Sequence, residues 1–119
     1  MKKIAIIEDN SEINNLIRNI LIYENFEIEQ YFNGQEVLNN LNKIVKNHII
    51  LLDVMLPGLN GLEIFNKLKE QYPEAVKKIL FLTAKSDEET LTFFEQEQCQ
   101  YIVKPFDPYK FLGILKKFP

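Results

Sequence analysis

Residues 49–53 of this chain read Ile-Ile-Leu-Leu-Asp, four apolar residues followed at once by a carboxylate. A short apolar run between helix-like stretches is typical of a strand buried in a parallel sheet. Three further runs also end at polar residues: 4–7 before Glu8 and Asp9, 79–82 before Thr83, and 101–103 before Lys104. In an open parallel sheet the carboxyl ends of all strands meet at one edge, where ligands bind. The pattern predicts a single site containing three carboxylates, a hydroxyl and an ammonium group.

The composition is that of one soluble domain of 119 residues, with 46% hydrophobic and 26% charged residues. No apolar run approaches the ~20 residues of a membrane span, and we expect no signal peptide because two lysines lead directly into the first strand. The single Cys99 favours a cytoplasmic setting. The net charge of −3, with scattered lysines, argues against direct nucleic-acid binding.

Strand-like and helix-like segments alternate five times along the chain. Residues 26–29 read Phe-Glu-Ile-Glu, an alternation that predicts an edge strand with one solvated face. The predicted helices start at polar residues that can cap a first turn: Asn10 or Ser11, Asn33, Asn60, Ser86 and Asp107. The first helix should bury an apolar face made of Ile13, Leu16, Ile17, Ile20 and Leu21. We therefore predict an α/β fold, a doubly wound five-stranded parallel sheet in the order 2-1-3-4-5 with five helices.

Converging carboxylates repel one another, and a divalent cation would relieve that repulsion. Mg²⁺ prefers oxygen ligands and is typically held by one or two carboxylates and a phosphate. Asp9 and Asp53 are predicted as direct ligands and Glu8 as a ligand through water, while Lys104 and Thr83 can contact an anion beside Asp53. A carboxylate can also attack phosphorus to give an acyl phosphate.

Over its whole length, residues 1–119, the chain resembles the receiver domain of the two-component response regulator family. The acidic pair Glu8 and Asp9 is one shared feature. The others are Leu-Leu-Asp-Val-Met-Leu-Pro-Gly-Leu-Asn-Gly at 51–61, Phe-Leu-Thr-Ala-Lys at 81–85 and Tyr-Ile-Val-Lys-Pro-Phe at 101–106. Each motif alone is weak, but all of them in this order are specific.

The resemblance implies a flavodoxin-like receiver fold and a role for each site residue. Asp53 would accept a phosphoryl group from a histidine kinase or phosphotransfer protein. Mg²⁺ or Mn²⁺ would be bound by Glu8, Asp9, Asp53 and the carbonyl oxygen of Met55. The remaining implied roles are those of Thr83 and Lys104 as phosphoryl contacts, of Thr83 and Tyr101 as switch residues, and of Pro105 as a cis proline.

The resemblance also implies a signalling switch and not an enzyme with steady turnover. Phosphorylation would change the surface of the fourth helix, fifth strand and fifth helix, and so control a downstream effector or a fused output domain. One such output is transcription through a DNA-binding domain outside this chain. A phosphorylation-dependent homodimer is a further expectation, although residues 97–100, Glu-Gln-Cys-Gln, lack the usual glycine and acids of that region. Without that glycine we expect an irregular end to the fourth helix.

Three other functions remain open from the residues themselves. The first is a receiver that acts as a protein-interaction module without phosphorylation, which the intact set of acids, Thr83 and Lys104 disfavours. The second is a Mg²⁺-dependent phosphatase, although no additional acid or base lies near Asp53 in the sequence. The third is a flavodoxin-like redox role, which is weaker because the first strand-helix loop lacks a phosphate-binding glycine or hydroxyl run.

Overall fold

A computed structural model of the chain describes residues 2–84 and 87–118. Its five strands form one parallel sheet in the order β2-β1-β3-β4-β5, which confirms the predicted topology. The strands are β1 (Lys3–Ile7), β2 (Glu27–Tyr31), β3 (Ile49–Asp53), β4 (Ile79–Thr83) and β5 (Gln100–Val103). Strand order reverses between β1 and β3, which pair directly, and this is where a parallel sheet of this kind binds ligands, at the carboxyl ends of the two strands.

Helices follow each strand, and the second predicted helix is divided into two. The helices are α1 (Ser11–Tyr23), α2 (Gly34–Asn39), α3 (Leu41–Ile44), α4 (Gly61–Gln71), α5 (Glu88–Gln96) and α6 (Pro108–Lys117). The division falls at Asn40, whose side-chain amide donates to the carbonyl oxygen of Glu36 at 2.7 Å. An asparagine that bonds its own main chain in this way competes with helix continuation. A 3₁₀ turn at Pro73–Lys78, which the sequence did not predict, leads into β4.

The helix starts are set by side-chain caps. Asn10, Asn33, Asn60, Asp87 and Asp107 each accept a hydrogen bond from a main-chain N–H in the first turn of their helix. Asn60 and Glu63 form a complete capping box. Ser86, the predicted start of the fourth helix, lies outside the described residues. Each cap fixes where its helix begins relative to the preceding strand, and so sets the length of the loop at the carboxyl edge of the sheet.

The core has two layers, one on each face of the sheet. One face presents Ala5, Ile7, Ile50, Leu52 and Phe81 to α2, α3, α4 and α5. The opposite face presents Ile4, Ile6, Ile49, Leu51, Leu80 and Leu82 to α1 and α6. Each of the isoleucine, leucine and phenylalanine side chains contributes about 1.5–3 kcal/mol on full burial. Strands β1, β3 and β4 therefore hold the site residues at their ends on a rigid frame.

The first helix buries less of its apolar face than predicted. Ile17 and Leu21 are fully buried, but Leu16 is 56% exposed. The third buried position of α1 is Asn14, because Asn14, Ile17 and Leu21 share one side of the helix at i, i+3 and i+7. Across residues 2–84 and 87–118, every helix is too short or too polar to cross a lipid bilayer.

Candidate functional site

The predicted polar residues meet at the carboxyl edge of the sheet. Asp53 is the last residue of β3 and Thr83 the last residue of β4, while Glu8 and Lys104 directly follow β1 and β5. Asp53 is 4% exposed and Glu8 1% exposed, whereas Asp9 is open to solvent. The strand order brings these residues together although they are up to 96 positions apart in the chain.

The three acids form a compact oxygen cluster. One carboxylate oxygen from each of Glu8, Asp9 and Asp53 lies within 4.8 Å of the others. The N–H of Met55 donates to Oδ1 of Asp53 at 3.0 Å, which fixes the orientation of that carboxylate. The N–H of Asn10 lies 3.4 Å from Oε2 of Glu8. Hard oxygen ligands at these separations suit a small divalent cation such as Mg²⁺.

Lys104 lies between two of these acids. Its ammonium group donates to Oδ2 of Asp53 at 3.0 Å and also to Oε1 of Glu8. Burial by itself would lower the pKa of Lys104, but the two carboxylate hydrogen bonds raise it above its ordinary 10.5. Lys104 is therefore a permanent cation beside Asp53, suited to neutralise charge on an anion bound there.

The pKa of the Glu8 carboxyl is strongly perturbed by its surroundings. Burial, and secondly the hydrogen bond with Asp53, raise the pKa of the Glu8 carboxyl from 4.5 to about 8, while Lys104 opposes the rise. The three acids carry more negative charge than one ammonium group can balance. A divalent cation would supply the missing positive charge and favour the carboxylate form of Glu8.

Thr83 and Lys104 are linked through the main chain. Thr83 is fully buried, and its carbonyl oxygen accepts a hydrogen bond from the N–H of Lys104 at 2.8 Å. The Lys104–Pro105 peptide bond is cis. The hydrogen bond between Lys104 and Thr83 joins the carboxyl ends of β4 and β5 beside the three acids.

Tyr101 lies on the outer strand, away from the acidic cluster. Its side chain is 41% exposed and stacks on Phe94 of α5, with ring centroids 4.6 Å apart. Phe94 in turn contacts Phe81 of β4 at 4.8 Å between centroids. An aromatic path thus joins the outer strand to the interior of β4, two residues before Thr83.

Two residues near the site were not predicted to have a role in it. Gly61 is the first residue of α4, and a Cβ atom there would lie 2.2 Å from the carbonyl oxygen of Asp53. Asn14 is fully buried and contacts the main chain of Glu8. The sequence offered one signal for each: a glycine that follows the Asn60 cap, and an asparagine at helical spacing from Ile17 and Leu21.

Comparison with known proteins identifies the family. The model of the response regulator receiver domain matches residues 4–116 of the chain. The chain therefore belongs to the receiver domains of two-component response regulators, a family of signalling modules, as the motifs had indicated.

Individual relatives are similar over the whole chain. The response regulator ArlR of Staphylococcus aureus is 33% identical over 119 residues, which cover 98% of this chain and 52% of ArlR. The chain thus spans about half the length of the curated relatives it matches. The BeF₃-activated receiver domain of DrrB is 31% identical, with a TM-score of 0.83 over 99% of this chain and 97% of that chain.

A second receiver structure gives a closer match in shape at lower identity. The chemotaxis protein CheY4 of Vibrio cholerae is 25% identical, with a TM-score of 0.86 over 100% of this chain and 99% of CheY4. DrrB is described as a Thermotoga maritima OmpR/PhoB homologue. This chain is accordingly a homologue of OmpR/PhoB-type receivers.

Proposed function

We propose that this domain is a phosphorylation-controlled switch in which Asp53 accepts a phosphoryl group, in a Mg²⁺- or Mn²⁺-dependent reaction, from a phosphohistidine of a partner kinase or phosphotransfer protein. The observation that carries the proposal is the position of Asp53. Asp53 ends the buried strand β3, beside the point where strand order reverses. Its carboxylate is held between the N–H of Met55 and the ammonium group of Lys104. Glu8 and Asp9 lie alongside it.

The proposed reaction is a direct transfer between two nucleophiles. A carboxylate oxygen of Asp53 attacks phosphorus as the phosphorus–nitrogen bond of the donor histidine breaks. The histidine keeps the electron pair of that bond, and an acyl phosphate forms on Asp53. The Met55 N–H orients the carboxylate, and Lys104 offsets charge on the phosphoryl oxygens.

The metal would be held by Asp9, Asp53 and the carbonyl oxygen of Met55, with Glu8 acting through water. When bound, the cation would neutralise charge on the transferring phosphoryl group. The oxygen-only donor set supports this assignment, since Mg²⁺ and Mn²⁺ both favour carboxylate and carbonyl ligands.

The proposed response to phosphorylation is a change at the ends of β4 and β5. Thr83 would move toward the phosphoryl group and Tyr101 would change rotamer, altering the surface of α5, β5 and α6. The stacking of Tyr101 on Phe94 supports a link between this surface and β4.

We propose that the surface controls a downstream effector or a fused output domain, including transcription in the OmpR/PhoB manner, and that a phosphorylation-dependent homodimer forms. The proposed setting is the cytoplasm, without direct nucleic-acid or membrane binding by this segment.

The direct test uses acetyl phosphate as a small phosphodonor. The parent and an Asp53→Asn variant are incubated with acetyl phosphate, with and without MgCl₂, and their intact masses are measured. We expect one phosphate-sized gain in the parent that requires Mg²⁺ and is absent from the variant. Glu70→Gln is the control, since this exposed acid lies near the carboxyl end of α4, at the opposite end of that helix from Asn60.

Two results would contradict the proposal. A gain retained by Asp53→Asn would move the acceptor elsewhere. No gain in the parent, together with no change in the Tyr101 resonances on adding fluoroberyllate, would favour a protein-interaction module that works without phosphorylation.

A further inference from the structure

Asn14 is a buried polar residue in the apolar contact between α1 and the sheet. Its side chain is 0% exposed, and its neighbours on the same side of the helix are Ile17 and Leu21. A buried amide in such a position costs free energy unless it is hydrogen-bonded. The partners of this amide therefore explain what the residue does.

All polar atoms of the Asn14 side chain have a partner at the ends of β1 and β2. Nδ2 donates to the carbonyl oxygen of Glu8 at 2.9 Å and to that of Tyr31 at 3.1 Å. Oδ1 accepts from Nε2 of Gln30 at 2.8 Å. The carbonyl oxygen of Tyr31 also accepts from the N–H of Glu8 at 3.1 Å. The main-chain N–H of Glu8 is thus held by β2, and its carbonyl oxygen is held by Asn14.

Gln30 fixes the direction in which the Asn14 amide points. Its Nε2 group also donates to Oδ1 of Asn15 at 2.8 Å, so Gln30 spans two successive residues of α1. With its oxygen held by Gln30, Asn14 must direct its NH₂ group toward the two carbonyl oxygens. The contact is therefore specified at three points.

We propose that Asn14 is a positioning residue for the acid pair: by fixing the carbonyl group of Glu8, it sets the direction in which the chain leaves β1 and hence the placement of the Glu8 and Asp9 carboxylates toward Asp53. The inference rests on the proposed function, because the placement serves a bound divalent cation. A partner that orients a ligand, without touching the metal, typically contributes 10–100-fold to metal affinity.

The test compares two buried asparagines at opposite edges of the sheet. Asn47 is also fully buried, and its Nδ2 donates to the carbonyl oxygen of Ile44 at 3.1 Å and to Oε1 of Glu29 at 3.0 Å, near the amino ends of the strands. We expect Asn14→Ala to weaken Mg²⁺ binding, measured by calorimetry, by about tenfold or more. Asn47→Ala should leave Mg²⁺ affinity unchanged, although both variants lower the unfolding temperature.

A second readout does not depend on the metal. In EDTA, the main-chain amide of Glu8 should exchange with solvent about tenfold faster in Asn14→Ala than in the parent, while the amide of Ile6 in the same strand changes less. A merely structural role for Asn14 would speed both amides equally and leave Mg²⁺ affinity unaltered, and this result would overturn the inference. If Asn14→Ala does not fold, Gln30→Ala decides in its place, with a smaller loss of Mg²⁺ affinity expected and an unchanged affinity contradicting it.

The outcomes separate this inference from the proposed function. A parent protein that binds no Mg²⁺ and gains no phosphate contradicts the proposed function, while the exchange rate of Glu8 still tests whether Asn14 holds this loop. A parent that binds Mg²⁺, together with an Asn14→Ala variant of equal affinity and equal exchange, contradicts the positioning role alone.

Discussion

At the scale of single residues, Gly61 decides how closely α4 can approach the end of β3. Its N–H donates to the carbonyl oxygen of Val54 at 2.8 Å, and its Cα lies against the main chain of Asp53. A Cβ atom would lie 2.2 Å from the Asp53 carbonyl oxygen and 2.9 Å from Cα of Val54. Main-chain atoms cannot rotate away as a flexible side chain can, so the strand end itself would have to shift.

We therefore expect Gly61→Ala to destabilise the fold by about 1–3 kcal/mol or more and to slow phosphorylation of Asp53. Gly113→Ala is the control, because a Cβ atom at Gly113 meets no atom within 4 Å. In the interior of α6 that change should stabilise by up to ~1 kcal/mol. Urea unfolding of both variants measures the contrast, and equal stabilities for the two would contradict it.

Glu8 makes the stability of the metal-free protein depend on pH. Its folded pKa of about 8 lies above the ordinary 4.5 that applies to the unfolded chain. As pH rises from about 4.5 to about 8, the unfolded chain releases this proton first. The contribution of Glu8 to stability is therefore fully present below this window and is lost across it.

Glu8→Gln removes that titration and retains an amide that can still contact Lys104. In EDTA, we expect the stability of the variant relative to the parent to rise between pH 5 and pH 8.5, by on the order of 1–3 kcal/mol. Urea unfolding at several pH values measures the difference. A difference that is constant with pH would show that burial does not hold the proton on Glu8.

Sequence patterns could predict the acids and Lys104 because each directly ends or follows an apolar run, and parallel topology fixes where such ends meet. They could not predict Asn14 or Gly61, whose roles come from the approach of a helix to the main chain of another segment. The exposure of Leu16 has the same origin, since helical spacing alone does not tell which side of α1 faces the sheet.

At the scale of elements, the ends of α1 and α5 are regular although neither has a glycine. Helix α5 is the fourth predicted helix, and the prediction that its end is irregular is wrong. Gln98 takes the left-handed conformation with φ 56°, and the N–H of Cys99 donates to the carbonyl oxygen of Phe94 at 2.8 Å. Asn25 ends α1 in the same way, with φ 69°. Both ends are Schellman caps with a non-glycine residue at the left-handed position.

The two caps should respond differently to glycine. A left-handed conformation costs most residues roughly 1–2 kcal/mol, but asparagine adopts it more readily. Glycine would relieve this cost, but it also increases the conformational entropy of the unfolded chain, which offsets part of the gain. We therefore expect Gln98→Gly to stabilise the fold by about 0.5–1 kcal/mol and Asn25→Gly by less. Midpoints of urea unfolding measure both changes. A loss of stability in Gln98→Gly would mean that the glutamine side chain itself stabilises the end of α5.

At the scale of the whole molecule, the buried sheet and the charged site have opposite effects on stability. The two apolar layers stabilise the fold, whereas the crowding of Glu8, Asp9 and Asp53 around one ammonium group opposes it. Topology could be predicted because the amphipathic strand must lie at an edge and the apolar runs must lie inside. The split between α2 and α3 could not be predicted, because it depends on the conformation of the Asn40 side chain.

A cation that binds only the folded state should therefore stabilise the entire domain. With Mg²⁺ at about 100 times its dissociation constant, the expected gain is about 2.7 kcal/mol, and the gain should grow with the logarithm of the Mg²⁺ concentration.

Asp9→Asn removes one repelling charge and one proposed ligand at the same time. We expect this variant to unfold at a higher temperature than the parent in EDTA, and to lose most of the response to Mg²⁺. Thermal unfolding of both proteins over a MgCl₂ titration, with the exposed Glu70→Gln as a surface control that should respond like the parent, measures the effect. If Asp9→Asn responds to Mg²⁺ as strongly as the parent, the cation stabilises the domain from somewhere other than the acidic cluster. If the variant unfolds at the same temperature as the parent in EDTA, the repulsion among these carboxylates does not limit the stability of the fold.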